Sequence, residues 1–123
     1  HTGHGLVGFH GAAYEASWRG LLLVMDFVDG GNLAEVYQAA APARMEEAAL
    51  CSVLAQSLEA LSFLHGRRMI HRDVQPSSLL VDRHGRLVLT SLGNLRVLAR
   101  TKAQAGSVVG TRCYHAPERI VAA

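Results

Sequence analysis

Residues 69–81 read Met-Ile-His-Arg-Asp-Val-Gln-Pro-Ser-Ser-Leu-Leu-Val, and the reading of the whole 123-residue chain turns on them. The stretch opens on an apolar pair, runs through the triplet His71-Arg72-Asp73, passes Pro76 and ends in Leu79-Leu80-Val81. By itself an Arg-Asp pair is most often a solvated surface pair. Its meaning depends on what stands on either side.

Upstream, Met45 to His65 carries Leu50, Val53, Leu54, Leu58, Leu61 and Leu64 at steps of three and four, the apolar stripe of a helix. Glu46 and Glu47 stand near its start, where the helix dipole favours anions. Gly66 is expected as the capping residue, with Arg67 and Arg68 supplying cations there. Downstream, Leu79-Leu80-Val81 and Arg86-Leu87-Val88-Leu89 flank Asp82-Arg83-His84-Gly85, a hairpin pattern with Gly85 at the left-handed position. The triplet therefore connects a long helix to a hairpin. Farther upstream, Gly20 to Phe27 is nearly all apolar and suits a buried strand. Asp29-Gly30-Gly31-Asn32 breaks it, and Asn32 can cap a short helix through Leu33, Val36 and Tyr37. Ala39 to Arg44, with Pro42, reads as a loop or helix entry, and Gly93 to Val121 as a long ordered loop.

At 50% hydrophobic and 18% charged residues the composition is that of a globular domain. A net charge of +2 is too balanced to point to nucleic acid or an anionic membrane as partner. The longest apolar run, Leu21 to Met25, is five residues, against the ~20 that span a bilayer. Cys51 and Cys113 form no C-x-x-C pattern and are expected to be free thiols in a reducing compartment, with a cytoplasmic location that can extend to the nucleus. Both ends look cut, and the chain reads as part of a larger domain. Of twelve basic residues one alone, Lys102, is a lysine.

Two patterns are set aside. Gly3-His4-Gly5-Leu6-Val7-Gly8 fits G-x-G-x-x-G, but no helix opens after it, so phosphate binding there is not expected. His1 and His4 have ligand-like spacing, yet neither cysteine lies near them, and a zinc site needs about four convergent ligands.

Three blocks together carry a resemblance. Residues 69–81 resemble the catalytic loop of protein kinases, H-R-D-L-x-x-x-N. Val24 to Leu33 resembles the kinase hinge and the helix after it, and Gly110 to Ile120, with Ala116-Pro117-Glu118, resembles the end of the activation segment. Val7 to Tyr14 resembles the fourth small-lobe strand. His-Arg-Asp-Val, Asp-Gly-Gly and Gly-Thr-Arg-x-Tyr-x-x-Pro-Glu-Arg are similar to mitogen-activated protein kinase kinases, and Thr101 and Ser107 have the phosphosite spacing of the plant-type members.

The resemblance implies an α+β, partial two-lobed kinase-like fold in one partial domain, 1–123. Residues from 1 to about 28 would be small-lobe strands and hinge, and those from about 29 to 123 large lobe through the activation segment. It implies ATP and Mg²⁺ as cofactors and a protein substrate or scaffold partner, such as a mitogen-activated protein kinase. Asp73 would accept the substrate hydroxyl's proton, with Thr111 also at the catalytic site. Arg72 would pair with an activation-segment phosphate. Backbone groups of Asp26 and Val28 would hold adenine, with Met25 behind it and Leu80 on its face. His71 would pack as a core residue.

The departures fall on the metal- and phosphate-facing positions. Where the family has a magnesium-ligating Asn and a phosphate-facing Lys, this chain has Ser78 and Gln75. Asp-Phe-Gly aligns with Ser91-Leu92-Gly93, leaving a hydroxyl in place of the second ligand. No Lys precedes Lys102, so the phosphate-holding strand lysine would either lie upstream of His1, the simpler account, or never have been present. The implied function is a catalytically impaired kinase-like domain, a pseudokinase. The alternatives are an active kinase of the kinase-kinase group and a regulatory docking module that binds no nucleotide. In isolation the 123 residues are expected to be marginal or aggregation-prone, because the long helix would lack much of its cover.

Overall fold

The computed structural model describes residues 3–40, 45–99 and 109–121. Among the described residues the architecture is α+β: three separate two-stranded antiparallel sheets and three α-helices. Strand β1 (Phe9–Glu15) pairs with β2 (Gly20–Met25), with a bulge between Phe9 and Gly11. The expected strand from Gly20 is present, but it is not buried. Leu21, Leu23 and Val24 are each more than half exposed. A run apolar on both faces needs cover on both, and β2 has only the neighbour β1 among the described residues.

Helix α1 (Leu33–Ala40) starts as the sequence reading requires. The Asn32 side-chain carbonyl accepts from the Glu35 N–H (3.0 Å), and the Glu35 carboxylate accepts from the Asn32 N–H (3.2 Å). This reciprocal pair satisfies two donors that the first turn would otherwise leave open.

Helix α2 (Glu47–Gly66) supplies one side of the core. Ala60 and Leu64 pack on Leu79, Leu87 and Leu89, which come from β4 (Leu79–Val81) and β5 (Leu87–Leu89). Val53 and Leu61 join them, whereas Leu50, Leu54 and Leu58 face outward, 47%, 53% and 64% exposed. The stripe is divided because a hairpin of three-residue strands covers only one flank of a 20-residue helix. The expected cap at Gly66 moves on. Gly66 ends the helix, Arg67 follows at φ −98°, and Arg68 takes the left-handed turn at φ +57°. The closing bonds, Arg67 N–H to Leu64 and Arg68 N–H to His65, set that position, and the Arg68 guanidinium reaches the Ala99 carbonyl.

Gln56 ties α2 to the hairpin. Its amide donates to the Gly85 carbonyl (3.1 Å), and its carbonyl accepts from the buried Leu87 N–H (2.8 Å). Gly85 has φ +77°, the left-handed turn the hairpin pattern calls for. Both hairpin edges are occupied. On β4, the Val81 N–H donates to Gly31. Beside β5, Leu89 donates to Gly5 and accepts from Val7. The glycine pattern at 3–8 therefore runs as a short edge partner of β5.

Strand β3 (Met69–Ile70) pairs with β6 (Arg96–Val97). The segment expected to be one long loop contains β6, 3-10 turns at Leu92–Asn94 and Arg112–Tyr114, and α3 (Pro117–Val121). Elements of two to five residues are too short to show a period. Helix α2 is also long and apolar enough, by length and composition, to cross a membrane. The longest-run criterion missed this because single polar residues divide its alanines and leucines. Both cysteines are free and exposed.

Candidate functional site

The connection between β3 and β4 holds the chemistry-bearing residues. His71 is 1% exposed, in keeping with its expected core role. Its Nδ1 accepts from the Asp73 N–H (3.3 Å), so its Nε2 carries the hydrogen that meets the Thr90 carbonyl (2.7 Å). Arg72 follows at φ +70°, and its Nε donates to the Asn94 carbonyl (2.6 Å). Thr101, Lys102 and Ser107 lie outside the described residues.

Asp73 is the centre of the network. Its Oδ1 accepts from the Thr111 N–H (2.8 Å), the Thr111 hydroxyl (2.9 Å) and the Gln75 amide (3.1 Å). Its Oδ2 accepts from the Asn94 amide at 3.4 Å. Partial burial pushes the carboxyl pKa up, but the donors from Thr111, then Asn94 and Gln75, outweigh it and hold the group below its ordinary value. Thr111 reaches Asp73 because Gly110 adopts φ +95°, a conformation natural to glycine, and a Cβ there would collide with the Arg72 carbonyl oxygen. Val109 is held from the other side, its carbonyl accepting from Arg119 (2.8 Å) and meeting the His115 ring nitrogen (3.1 Å). A cavity of about 190 Å³ lies between the loop and this segment, bordered by Arg72, Asp73, Thr111, Tyr114, His115 and Arg119.

Ser78 is 1% exposed and turned inward. Its oxygen accepts from the Gln75 N–H (3.0 Å), and its hydroxyl hydrogen faces the Gln75 and Asp73 carbonyls at 2.8 and 3.0 Å. Ser91 is exposed, at a left-handed bend of φ +63°.

The hinge residues lie elsewhere. The Asp26 carboxylate accepts from the Gly8 N–H (3.2 Å) and the His10 ring (2.6 Å), and the His10 bond first of all holds its pKa below the usual carboxylate value. The Asp26 N–H is committed to the Gly8 carbonyl. A cleft of about 480 Å³ runs between Asp26–Asp29 and the β4–β5 turn at Asp82, Arg83, His84 and Arg86. Val28 borders this cleft, but Met25, Leu80 and Ser91 do not. The structure thus brings Arg72, Asp73, Gln75, Ser78 and Thr111 together, while of the expected adenine-facing residues Asp26 and Val28 border the cleft.

A family model described as the protein kinase domain matches residues 4–123. The chain belongs to the protein kinase family. It is 35% identical over 117 residues to mitogen-activated protein kinase kinase 3 of Arabidopsis thaliana, covering 94% of this chain and 22% of the relative. Against mitogen-activated protein kinase kinase 1 of the same plant it is 36% identical, with 80% of the chain and 27% of the relative covered. It also matches the serine/threonine-protein kinase pak-2 of Caenorhabditis elegans at 38% identity, with 81% and 19% covered. The chain spans roughly a fifth to a quarter of these relatives' length.

Protein kinases use ATP with magnesium, and the fit of this kinase segment to the metal can be tested on its donor set. Hard divalent cations are held through oxygens free to ligate, with at least one or two carboxylates among them. Ser78 offers a neutral hydroxyl engaged within its own loop, and Ser91 a neutral hydroxyl on an exposed bend. The carboxylate of Asp73 is occupied at Oδ1 by three internal donors. Among the described residues no cluster of three or more His, Cys, Asp or Glu side chains is gathered for a metal. These residues do not fit the ion. Sequence reasoning missed Asn94, which touches both Arg72 and Asp73, and Gln56, which anchors the hairpin. Neither lies in a motif that would single it out.

Proposed function

We propose that the chain is part of a kinase domain of the mitogen-activated protein kinase kinase type that is impaired in phosphoryl transfer and acts by binding a protein partner. The observation that carries this is the state of Ser78, a buried hydroxyl bonded within its own loop at the position where the family places a metal ligand. Ser91 and the neutral Gln75 support it, because a triphosphate needs cations about it, and Gln75 carries no charge while Ser91 lacks the carboxylate that the family uses to hold the metal. The partner class suggested by the relatives' names is a mitogen-activated protein kinase, engaged by docking.

One observation favours an active enzyme: Asp73 and Thr111 are in direct contact, and the segment that carries Thr111 is closed on the loop. The two readings separate in a transfer assay on the full-length protein with MgATP and a generic protein substrate. No turnover above that of Asp73→Asn is expected, and clear Asp73-dependent turnover would sink the impaired reading. Restoring both family ligands with Ser78→Asn and Ser91→Asp together should raise transfer by orders of magnitude if the frame is otherwise intact. A thermal-shift titration with ATP, with and without Mg²⁺, separates metal-independent nucleotide binding from none.

A further inference from the structure

Two stretches of chain join the β1–β2 pair to the core. On one, Gly5 and Val7 are tied to Leu89 of β5, and β1 begins two residues later. On the other, β2 ends at Met25, and the Asp29 carboxylate accepts from the Arg83 N–H at the hairpin turn. Between these anchors β1 and β2 pack on each other and, among the described residues, broadly on no other element. The pair is an arm, and its neck is Gly8 to His10 against Asp26.

Three bonds close the neck. The Asp26 N–H donates to the Gly8 carbonyl (2.9 Å), the Gly8 N–H donates to Asp26 Oδ2 (3.2 Å), and the His10 ring meets Asp26 Oδ1 at 2.6 Å. The fit is tight, for a Cβ on Gly8 would collide with the Asp26 carboxylate. His10 reaches Asp26 because it is the extra residue of the β1 bulge. Phe9 pairs with Met25 and Gly11 with Val24, which leaves His10 without a cross-strand partner, and a bulge re-aims the side chain it carries. The third bond alone involves a side chain type that changes charge between pH 5 and 8.

We propose that the His10–Asp26 pair is a proton-sensitive clamp on this neck, closed most firmly when the imidazole is charged. The protonated ring makes a charge-assisted bond to the carboxylate, whereas the neutral ring offers an ordinary one about half as strong. Asp26 also borders the 480 Å³ cleft, so loosening the neck frees one wall of that cleft. The other charges around it are engaged: Asp29 with Arg83, Asp82 with Arg86, and Glu15, at the far end of β1, with Ser17. Strand β2 carries no charged side chain. Two titrating groups remain, His84 on the wall of the cleft and the chain's amino group, whose charge also acts on Asp26. The clamp rests on bonds that the impaired-transfer reading does not use.

Amide exchange by NMR on the full chain tests it at Gly8 and Asp26, each rate being divided by the intrinsic rate at the same pH. In wild-type protein both amides should be about fivefold better protected at pH 5.5 than at pH 8.0, with Leu64 of α2 within about twofold. His10→Gln keeps a donor that never gains charge, and it should show the lower protection at both pH values. Asp26→Asn should likewise lose the response, and Leu64 protection reports that each variant is folded. His84→Gln, and protein acetylated at its amino end, should keep the full response. A wild-type response below about twofold would overturn the proposal, and so would one that survives His10→Gln. Loss of the response in His84→Gln or in the acetylated protein would assign it to those groups and overturn the role of His10.

Discussion

Replacing Ser78 by Ala deletes one oxygen atom from a side chain that is 1% exposed, and the structure says what that atom does. It accepts from the Gln75 N–H at 3.0 Å and offers its single hydrogen to the Gln75 or the Asp73 carbonyl. The Gln75 carbonyl keeps a second donor, the Ser78 N–H at 3.0 Å, so it is not orphaned. The Gln75 N–H loses its acceptor, and one hydrogen bond to a carbonyl disappears. At roughly 1 kcal/mol for each bond, Ser78→Ala should cost about 2 kcal/mol. For a chain of 123 residues the unfolding entropy near Tm is about 0.26 kcal/mol per degree, so the midpoint should fall by about 8 °C. The adjacent Ser77 is exposed and serves as the control: Ser77→Ala should stay within about 0.5 kcal/mol, near 2 °C. Thermal unfolding followed by circular dichroism reads both variants. If they shift Tm equally, or if Ser78→Ala moves it by less than 2 °C, the hydroxyl does not close the loop and the argument from Ser78 fails.

Other outcomes follow from the packing and the charges. Leu64→Ala should cost about 3 kcal/mol in urea unfolding, whereas Leu58→Ala on the outward flank of α2 should cost under about 0.5; equal effects would refute the divided stripe. Gln56→Ala strands the Leu87 N–H, which is buried among apolar side chains, and should cost about 1–3 kcal/mol with faster Leu87 amide exchange. Asp73 has its pKa lowered in the folded state, so its contribution is present above the unfolded value of about 3.9 and is lost as pH falls through the folded one. Wild-type protein should therefore lose more stability than Asp73→Asn between pH 6 and pH 3, measured by urea midpoints. Equal losses would mean that the internal donors do not favour the ionised form.

Much of the frame is readable from residue order. The period of Leu50 to Leu64 marks α2, Gly85 marks the hairpin turn and Asn32 marks the start of α1, because each is a local preference that the rest of the fold does not oppose. The Gly66 cap is displaced because α2 runs through Gly66 and takes its left-handed turn at Arg68, whose N–H closes on His65 and whose guanidinium is held by the Ala99 carbonyl, 31 positions on. The burial of Leu21 to Met25 could not be read from their apolarity, since burial is a property of what lies opposite. At the site, the charges lost at Gln75 and Ser91 and the amide ligand lost at Ser78 are legible from a motif. The inward turn of the Ser78 hydroxyl and the reach of Asn94 to Asp73 are not, because both depend on the chain having come back on itself.

Arg68, Arg72 and Ser91 hold left-handed backbone angles without being glycine, at a cost on the order of 1 kcal/mol each. An isolated peptide of residues 69–81 would rarely visit the angle Arg72 needs, and it would lack the Asn94 carbonyl and the Thr90 carbonyl that hold the triplet in place. Neither fragment screening nor peptide mimicry can then reproduce the His-Arg-Asp geometry. The triplet's shape is therefore borrowed from Thr90 and Asn94, which follow β5, so a change at either of those positions reaches the triplet without altering its own sequence.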